Sequence, residues 1–281
     1  MSLLQLVLLS LVQGVTEWLP ISSSAHLILL HDAFGSSEDS LLIDAMAHFG
    51  TLFAMLLYFR QDVARAFVGG LELLGIGRQA GNRLSERARL ALFIIIATPF
   101  GVAAGLAFEL SGDSVQAALR SPETIAMSTI VFAIALLLAD YLGKRVRNQE
   151  DMLPRDAMLI GASQMLAFIP GTSRSGITMT AALALGFKRT EAARFAMLVG
   201  APLIFAVGLR AVLGLATGEA AGASLNEGLI VAGLSFVSGY VSIWGLMALL
   251  ERMSFLPFVI YRLLLGAAIL AISPTFIGLF G

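Results

Sequence analysis

The chain has 281 residues, 58% of them hydrophobic and 13% charged, with a formal net charge of −1. The charged share is about half that of soluble proteins and the mean hydropathy is +0.87, which excludes a water-soluble globular domain and indicates an integral membrane protein. The balanced charge argues against a nucleic-acid partner, and the absence of cysteine excludes disulfides, cysteine-ligated zinc and thiol nucleophiles.

In chain order, Ser2–Val15 is apolar, breaks at Thr16-Glu17-Trp18-Leu19-Pro20-Ile21-Ser22-Ser23-Ser24-Ala25-His26, and resumes over Leu27–Leu30. With no basic residues ahead of it and Glu17 within it, this stretch is not read as a cleaved signal peptide. Leu41–Phe59, Leu90–Phe108 and Pro122–Ala139 are each long enough to cross a bilayer. Met158–Ala167 is apolar, breaks over Phe168–Gly176, and resumes over Ile177–Phe187. Three more crossings follow: Phe195–Ala216, Gly228–Leu250 and Phe255–Gly281. Gly101 and Gly105 form a motif for close helix packing. Each broken stretch has halves too short to span and reads as a re-entrant hairpin, whose irregular tip must lie in protein or line a wet cavity.

Arginine and lysine set the orientation. Residues 60–89, 144–155 and 188–194 are rich in them, whereas 1–40 and 217–227 have none. With both breaks re-entrant, the basic loops all fall inside and both termini outside. A full crossing at the second break would put Lys188, Arg189 and Arg194 outside.

The two breaks match at an offset of 150, with Trp18-Leu19-Pro20 over Phe168-Ile169-Pro170 and, further on, Gly50 over Gly200. Each half then holds one hairpin and three crossings, so the second half is inverted. The expected fold is an all-α polytopic membrane protein, one membrane domain over 1–281 with repeat halves of about 1–141 and 155–281, and a site where the broken helices meet near the midplane.

The second tip suits an anion. A helix starting after Pro170-Gly171, capped by Thr172 or Ser173, presents free N–H groups, Gly171 admits a ligand to the backbone, and Arg174 offers a planar fork for phosphate oxygens. Ser173, Ser175 and Thr178 add hydroxyls. At the first tip Gln13 and Glu17 share a helix face. Glu17 can bind a divalent metal, with Gln13, or act as a base. Ser22, Ser23 and Ser24 are hydroxyl nucleophiles or ligands, and His26 can move a proton. Plainer roles stay open: packing for Gln13, helix capping for the serines, a satisfied buried imidazole for His26, and ion pairing for Glu17 and Arg174. His31, beside Asp32, is read as solvated and His48 as a packing or hydrogen-bonding residue. Arg210 and Arg262 are read as snorkelling to the surface. Together the tips form a constellation for phosphoryl transfer on a lipid carrying phosphate.

Gln13-Gly14-Val15-Thr16-Glu17, Leu19-Pro20-Ile21-Ser22-Ser23-Ser24-Ala25-His26 and Pro170-Gly171-Thr172-Ser173-Arg174-Ser175-Gly176-Ile177-Thr178 resemble the motifs of the undecaprenyl-diphosphate phosphatase family, the bacitracin-resistance type. Ala25 departs from the glycine common there. The resemblance covers nearly the whole chain. It implies hydrolysis of the polyprenyl diphosphate to undecaprenyl phosphate and inorganic phosphate, which recycles the carrier lipid for cell-wall synthesis, and it implies a divalent cation, Mg²⁺ or Ca²⁺. It gives Glu17, Ser23, His26 and Arg174 catalytic roles. Ser23 is the preferred nucleophile, Ser22 the next, and His26 a competing one. Gln13, Ser22, Ser24, Gly171, Thr172, Ser173, Ser175 and Thr178 would bind substrate. The expected location is the bacterial inner membrane, with the site opening to the periplasm. A homodimer is left open by the sequence. The alternative is a transporter or flippase of polyprenyl phosphate, using the same clamp.

Overall fold

A computed structural model describes residues 2–34, 41–77, 84–216 and 225–273. Apart from an isolated bridge between Arg147 and Phe187, the regular structure among them is helical: α1 (Leu3–Thr16), α2 (Ser23–Phe34), α3 (Leu41–Tyr58), α4 (Arg60–Leu73), α5 (Glu86–Glu109), α6 (Asp113–Leu119), α7 (Pro122–Leu142), α8 (Pro154–Ser163), α9 (Arg174–Ala184), α10 (Arg189–Ala216), α11 (Leu225–Leu250) and α12 (Leu256–Ile272). An apolar environment demands this, since a helix satisfies its own backbone without water. Start signals are local: Ser2 and Gln5 form a capping box on α1, and Pro122 and Pro154 open α7 and α8 where no N–H is needed.

Among the described residues, α5, α7, α11 and the Arg189–Leu209 part of α10 are long and apolar enough to cross a membrane. The expected crossing Leu41–Phe59 is α3, but the chain turns by 87° into α4 instead of entering a loop, and only the bent pair passes as a fifth span. The expected crossing Phe255–Gly281 is a 17-residue helix, α12; residues 274–281 lie outside the described residues, as do 217–224, Arg78 and Arg83 of the expected loops and the side chain of Arg210. The chain is therefore multi-pass, with four such helices, or five with the bent pair, among the described residues. Apolar length does not register a bend such as the one at Phe59.

The two helices of each broken stretch pack on each other, α1 on α2 and α8 on α9. The segments entering and leaving α8–α9 hydrogen-bond to each other, Val146 and Arg147 N–H to Gly186 O and Lys188 N–H to Arg147 O, all at 3.0 Å. The far ends of α1 and α2 meet in a buried cluster of Leu6, Leu9, Leu27, Ile43 and Val231. A larger core joins Trp18, Met55, Phe93, Leu136, Phe195 and Ile243 at the centre of the bundle. Around it α1 and α3 pack on α11, α8 and α10 on α5, α3 on α10, and α7 on α12. The three basic loops gather at one end, where Arg65, Glu86, Arg89, Glu150, Glu191 and Arg194 line a cavity of about 240 Å³. This is the grouping that the arginine distribution requires if α8–α9 returns to its own side.

Glycine sets the closest approaches. A Cβ on Gly101 would lie 3.3 Å from Leu203 and one on Gly105 3.1 Å from Phe168, the close packing expected of that motif. At Gly14 a Cβ would fall 1.8 Å from Ser238 Oγ and 2.9 Å from Gly239 N, and at Gly161 2.6 Å from Ala97 Cα. Gly14→Val should therefore force α1 off α11 and lower stability by about 1–3 kcal/mol or more. Gly70→Ala, with nothing within 4 Å, should raise it by about 0.5–1 kcal/mol through helix propensity. Thermal unfolding of the two variants in detergent, measured against the parent, checks both signs.

Candidate active site

Each hairpin tip enters its second helix through a serine in the left-handed region, Ser22 at φ 72° and Ser173 at φ 69°. Ser173 Oγ caps α9 by accepting Gly176 N–H at 3.1 Å, and Ser22 Oγ accepts Ala25 N–H at 3.5 Å before α2. Each also sits 3.2 Å from the hydroxyl two residues on, Ser24 and Ser175. The two helix entries thus correspond at an offset of 151, one more than the 150 that aligns the prolines, because Gly171 is an extra residue in the second tip. Its φ is 93°, and a Cβ there would lie 2.2 Å from Ser128 Oγ, so the glycine is required both by conformation and by space.

Glu17, 6% exposed, joins the tips. One carboxylate oxygen accepts Arg174 Nη2 at 2.5 Å. The other accepts Gln13 Nε2 at 2.9 Å and Ser23 Oγ at 2.7 Å, with His48 Nε2 3.6 Å away. Arg174 also donates to Gly200 O at 2.9 Å, where the missing side chain leaves 3.2 Å to its guanidinium carbon, and it lies 5.7 Å over the Trp18 ring. The Trp18 indole N–H donates to Thr51 O at 3.0 Å, which fixes that platform. Ser175 Oγ reaches Leu19 O at 3.0 Å, a second tie between the hairpins. Chemically, Glu17 is a carboxylate already accepting a serine hydroxyl proton, beside a cation with N–H groups left for another anion.

Arg262 corrects the sequence reading. It is fully buried and does not snorkel. It donates to Pro20 O at 3.3 Å in the first tip and to Gly171 O and Thr172 O at 2.9 and 3.0 Å in the second. The helix breaks supply carbonyls that a buried guanidinium can satisfy, and hydropathy alone cannot register that demand. Ser128 adds a hydroxyl to Pro170 O. His31 also differs from expectation: its Nε2 lies 3.1 Å from both oxygens of Asp44, because α3 brings that carboxylate under α2. His48 does hydrogen-bond, through Nδ1 to Asp44 O at 2.7 Å, and its other nitrogen faces Glu17.

Of the expected site residues, Gln13, Glu17, Ser23 and Arg174 form one hydrogen-bonded group. Ser22, Ser24, Gly171, Thr172, Ser173 and Ser175 make the tips around it. Thr178 is buried, with its hydroxyl donating to Arg174 O at 2.8 Å and Ser175 O at 3.0 Å. His26 stands off from Glu17. Its Nδ1 is 2.7 Å from Ser22 O and its Nε2 2.6 Å from the Tyr261 hydroxyl. Tyr261, Arg262, His48 and Gly200 are missed by reading the motifs alone. The sequence does hold a signal for Gly200, its match to Gly50, and for Arg262, a charge inside an apolar run.

The sequence model described as "Bacitracin resistance protein BacA" matches residues 6–268. The chain is 58% identical to an undecaprenyl-diphosphatase of Hyphomonas neptunium over the whole of both chains. It is 50% identical to one of Maricaulis maris, covering 96% of this chain and 98% of that one, and 42% identical to one of Erythrobacter litoralis, covering 96% and 99%.

The Arg262 clamp has a measurable consequence. Arg262→Met keeps the volume but strands buried carbonyls of both tips, at about 1–3 kcal/mol for each unsatisfied group. The variant is expected to unfold at lower temperature and to lose amide-exchange protection first around residues 17–26 and 170–178. Unchanged protection there would show that the clamp is not what joins the tips.

Proposed function

This chain belongs to the bacitracin resistance protein BacA family, and from that membership and the geometry of the two tips we infer that it hydrolyses undecaprenyl diphosphate to undecaprenyl phosphate and inorganic phosphate. The observation that carries the site is Glu17 held between the Ser23 hydroxyl and the Arg174 guanidinium. Ser23 Oγ attacks the terminal phosphorus, its proton passes to Glu17, and undecaprenyl phosphate leaves carrying that proton. Water then cleaves the phosphoserine, with Glu17 taking its proton and returning it to Ser23 Oγ. Arg174 exchanges one anionic partner for another, turning from the carboxylate toward the phosphoryl oxygens. The first N–H groups of α9, which no helical carbonyl reaches, assist it. Ser22, Ser24, Gly171, Thr172, Ser173 and Ser175 form the cradle, and Thr178 sets the start of α9 by its bonds to that backbone. Ser23 is favoured over His26 as nucleophile because both ring nitrogens of His26 are already hydrogen-bonded.

A divalent cation fits the oxygen donors present. Gln13 Oε1 is buried without a hydrogen-bond partner one turn from Glu17, and these two would hold a hard ion. Among the described residues no three acidic, histidine or cysteine side chains converge, so phosphate oxygens and water would complete its shell. When bound, the ion neutralises charge on the diphosphate.

We read the architecture as an inverted repeat in which α1, α2, α3, α5 and α7 correspond to α8, α9, α10, α11 and α12. The packing pairs support it: α1 on α11 mirrors α8 on α5, α3 on α11 mirrors α10 on α5, and α3–α10 and α7–α12 lie on the axis. The basic end faces the cytoplasm and the first hairpin opens toward the periplasm of the inner membrane.

Purified protein in detergent with Mg²⁺ or Ca²⁺ is expected to release inorganic phosphate from undecaprenyl diphosphate. Ser23→Ala, Glu17→Ala and Arg174→Ala should each reduce turnover by about 100-fold or more. No release by the parent would leave the flippase reading, and full turnover by the variants would remove the site assignment. The absence of native cysteine makes topology testable with a single introduced thiol at position 189, which should label only from the cytoplasmic side.

A further inference from the structure

Tyr261 lies outside the tip motifs, on α12, one residue before the arginine that ties the tips together. Its hydroxyl is 2.6 Å from His26 Nε2. The two rings lie nearly parallel, with centroids 5.7 Å apart and planes within 8°. The other ring nitrogen, Nδ1, lies 2.7 Å from the Ser22 carbonyl oxygen. A carbonyl can only accept, so Nδ1 carries the proton. In the neutral ring Nε2 is then an acceptor, and the tyrosine O–H donates to it. The imidazole is thus fixed at two points, by hydrogen bonds at both nitrogens.

Ser22, the residue to which Nδ1 is tied, is also the left-handed residue that launches α2, with Ser23 next in the chain. A shift of the His26 ring therefore pulls on the backbone that aims Ser23 at Glu17. Tyr261 is 42% exposed, so its ring forms part of the open side of the site, whereas Glu17 and Arg174 lie inside.

We propose that Tyr261 is a positioning residue for the reaction inferred above. It holds His26 as the Nδ1–H tautomer, with Nε2 accepting the Tyr261 hydroxyl, and through the Ser22 carbonyl it steadies the backbone that aims Ser23 at Glu17. The Tyr261 hydroxyl stays on Nε2 while substrate is bound, so the imidazole and the Ser22 carbonyl it holds do not shift during turnover. The proposal rests on the phosphatase reading and deepens it at this one residue.

The test uses the full-length protein in detergent with undecaprenyl diphosphate, following phosphate release. Tyr261→Phe keeps the ring and removes only the hydroxyl. It is expected to lower kcat about tenfold with KM changed by less than about twofold, below the roughly 10²–10⁴-fold that acid–base groups themselves contribute, because it acts through another residue. Tyr261→Phe in a His26→Ala background should cost nothing further, because the hydroxyl acts only through the imidazole. An unchanged kcat for Tyr261→Phe, or losses that multiply in the double variant, overturns the proposal while leaving the phosphatase reading intact. A parent that releases no phosphate overturns both. Nitrogen-15 spectra of the three histidines, with His26 assigned by its loss in His26→Gln, supply a readout independent of any variant at 261. The Nδ1–H tautomer supports the assignment and the Nε2–H tautomer refutes it.

Discussion

Two helix breaks inside an apolar bundle expose carbonyls that lipid cannot satisfy, and one buried guanidinium answers them from both hairpins at once. Arg262 donates to Pro20 in the first tip and to Gly171 and Thr172 in the second. The cost of burying that charge is offset by the oxygens it collects, and the oxygens tolerate burial because the charge is there. With the tips held in register, Ser175 can reach the backbone of the other hairpin and Arg174 can reach Glu17. The close approaches at Gly14 and Gly161 act in the same direction, seating α1 on α11 and α8 on α5.

The Glu17–Arg174 pair is a different kind of contact. A buried ion pair is weak support for stability, because desolvation consumes most of its attraction. This one is also incomplete as a purely structural element. Glu17 carries a serine hydroxyl on its second oxygen, and Gln13 keeps an unpaired carbonyl oxygen beside it. On the phosphatase reading proposed above, Arg174 exchanges this carboxylate for a phosphoryl group. Arg262 differs in that both its terminal nitrogens donate to backbone oxygens of the tips.

Much of the site was legible in the chain. Gln13 and Glu17 stand one helical turn apart, and they do hydrogen-bond. Serine after a proline break reads as a cap, and Ser173 is one. The basic loops read as sharing one side, and they line one cavity. Misreadings came where a residue's surroundings are set by distant segments. Arg262 sits in an apolar run like any snorkelling arginine, His31 has Asp32 as its sequence neighbour but Asp44 as its partner, and the 87° turn after Tyr58 follows no proline or glycine. The serines that open the two helices are 151 residues apart where the prolines are 150 apart, because the second tip holds one residue more.

The sequence by itself determined the environment, the helical class, the two breaks and the residue types at their tips, because hydropathy, proline and capping chemistry are local. Only the tertiary structure decided which groups meet. Glu17 and Arg174 are 157 residues apart, and His26 and Tyr261 are 235 apart. Contacts across that separation depend on how close the helices pack and on the angle at which each hairpin enters, and both are properties of the assembled bundle.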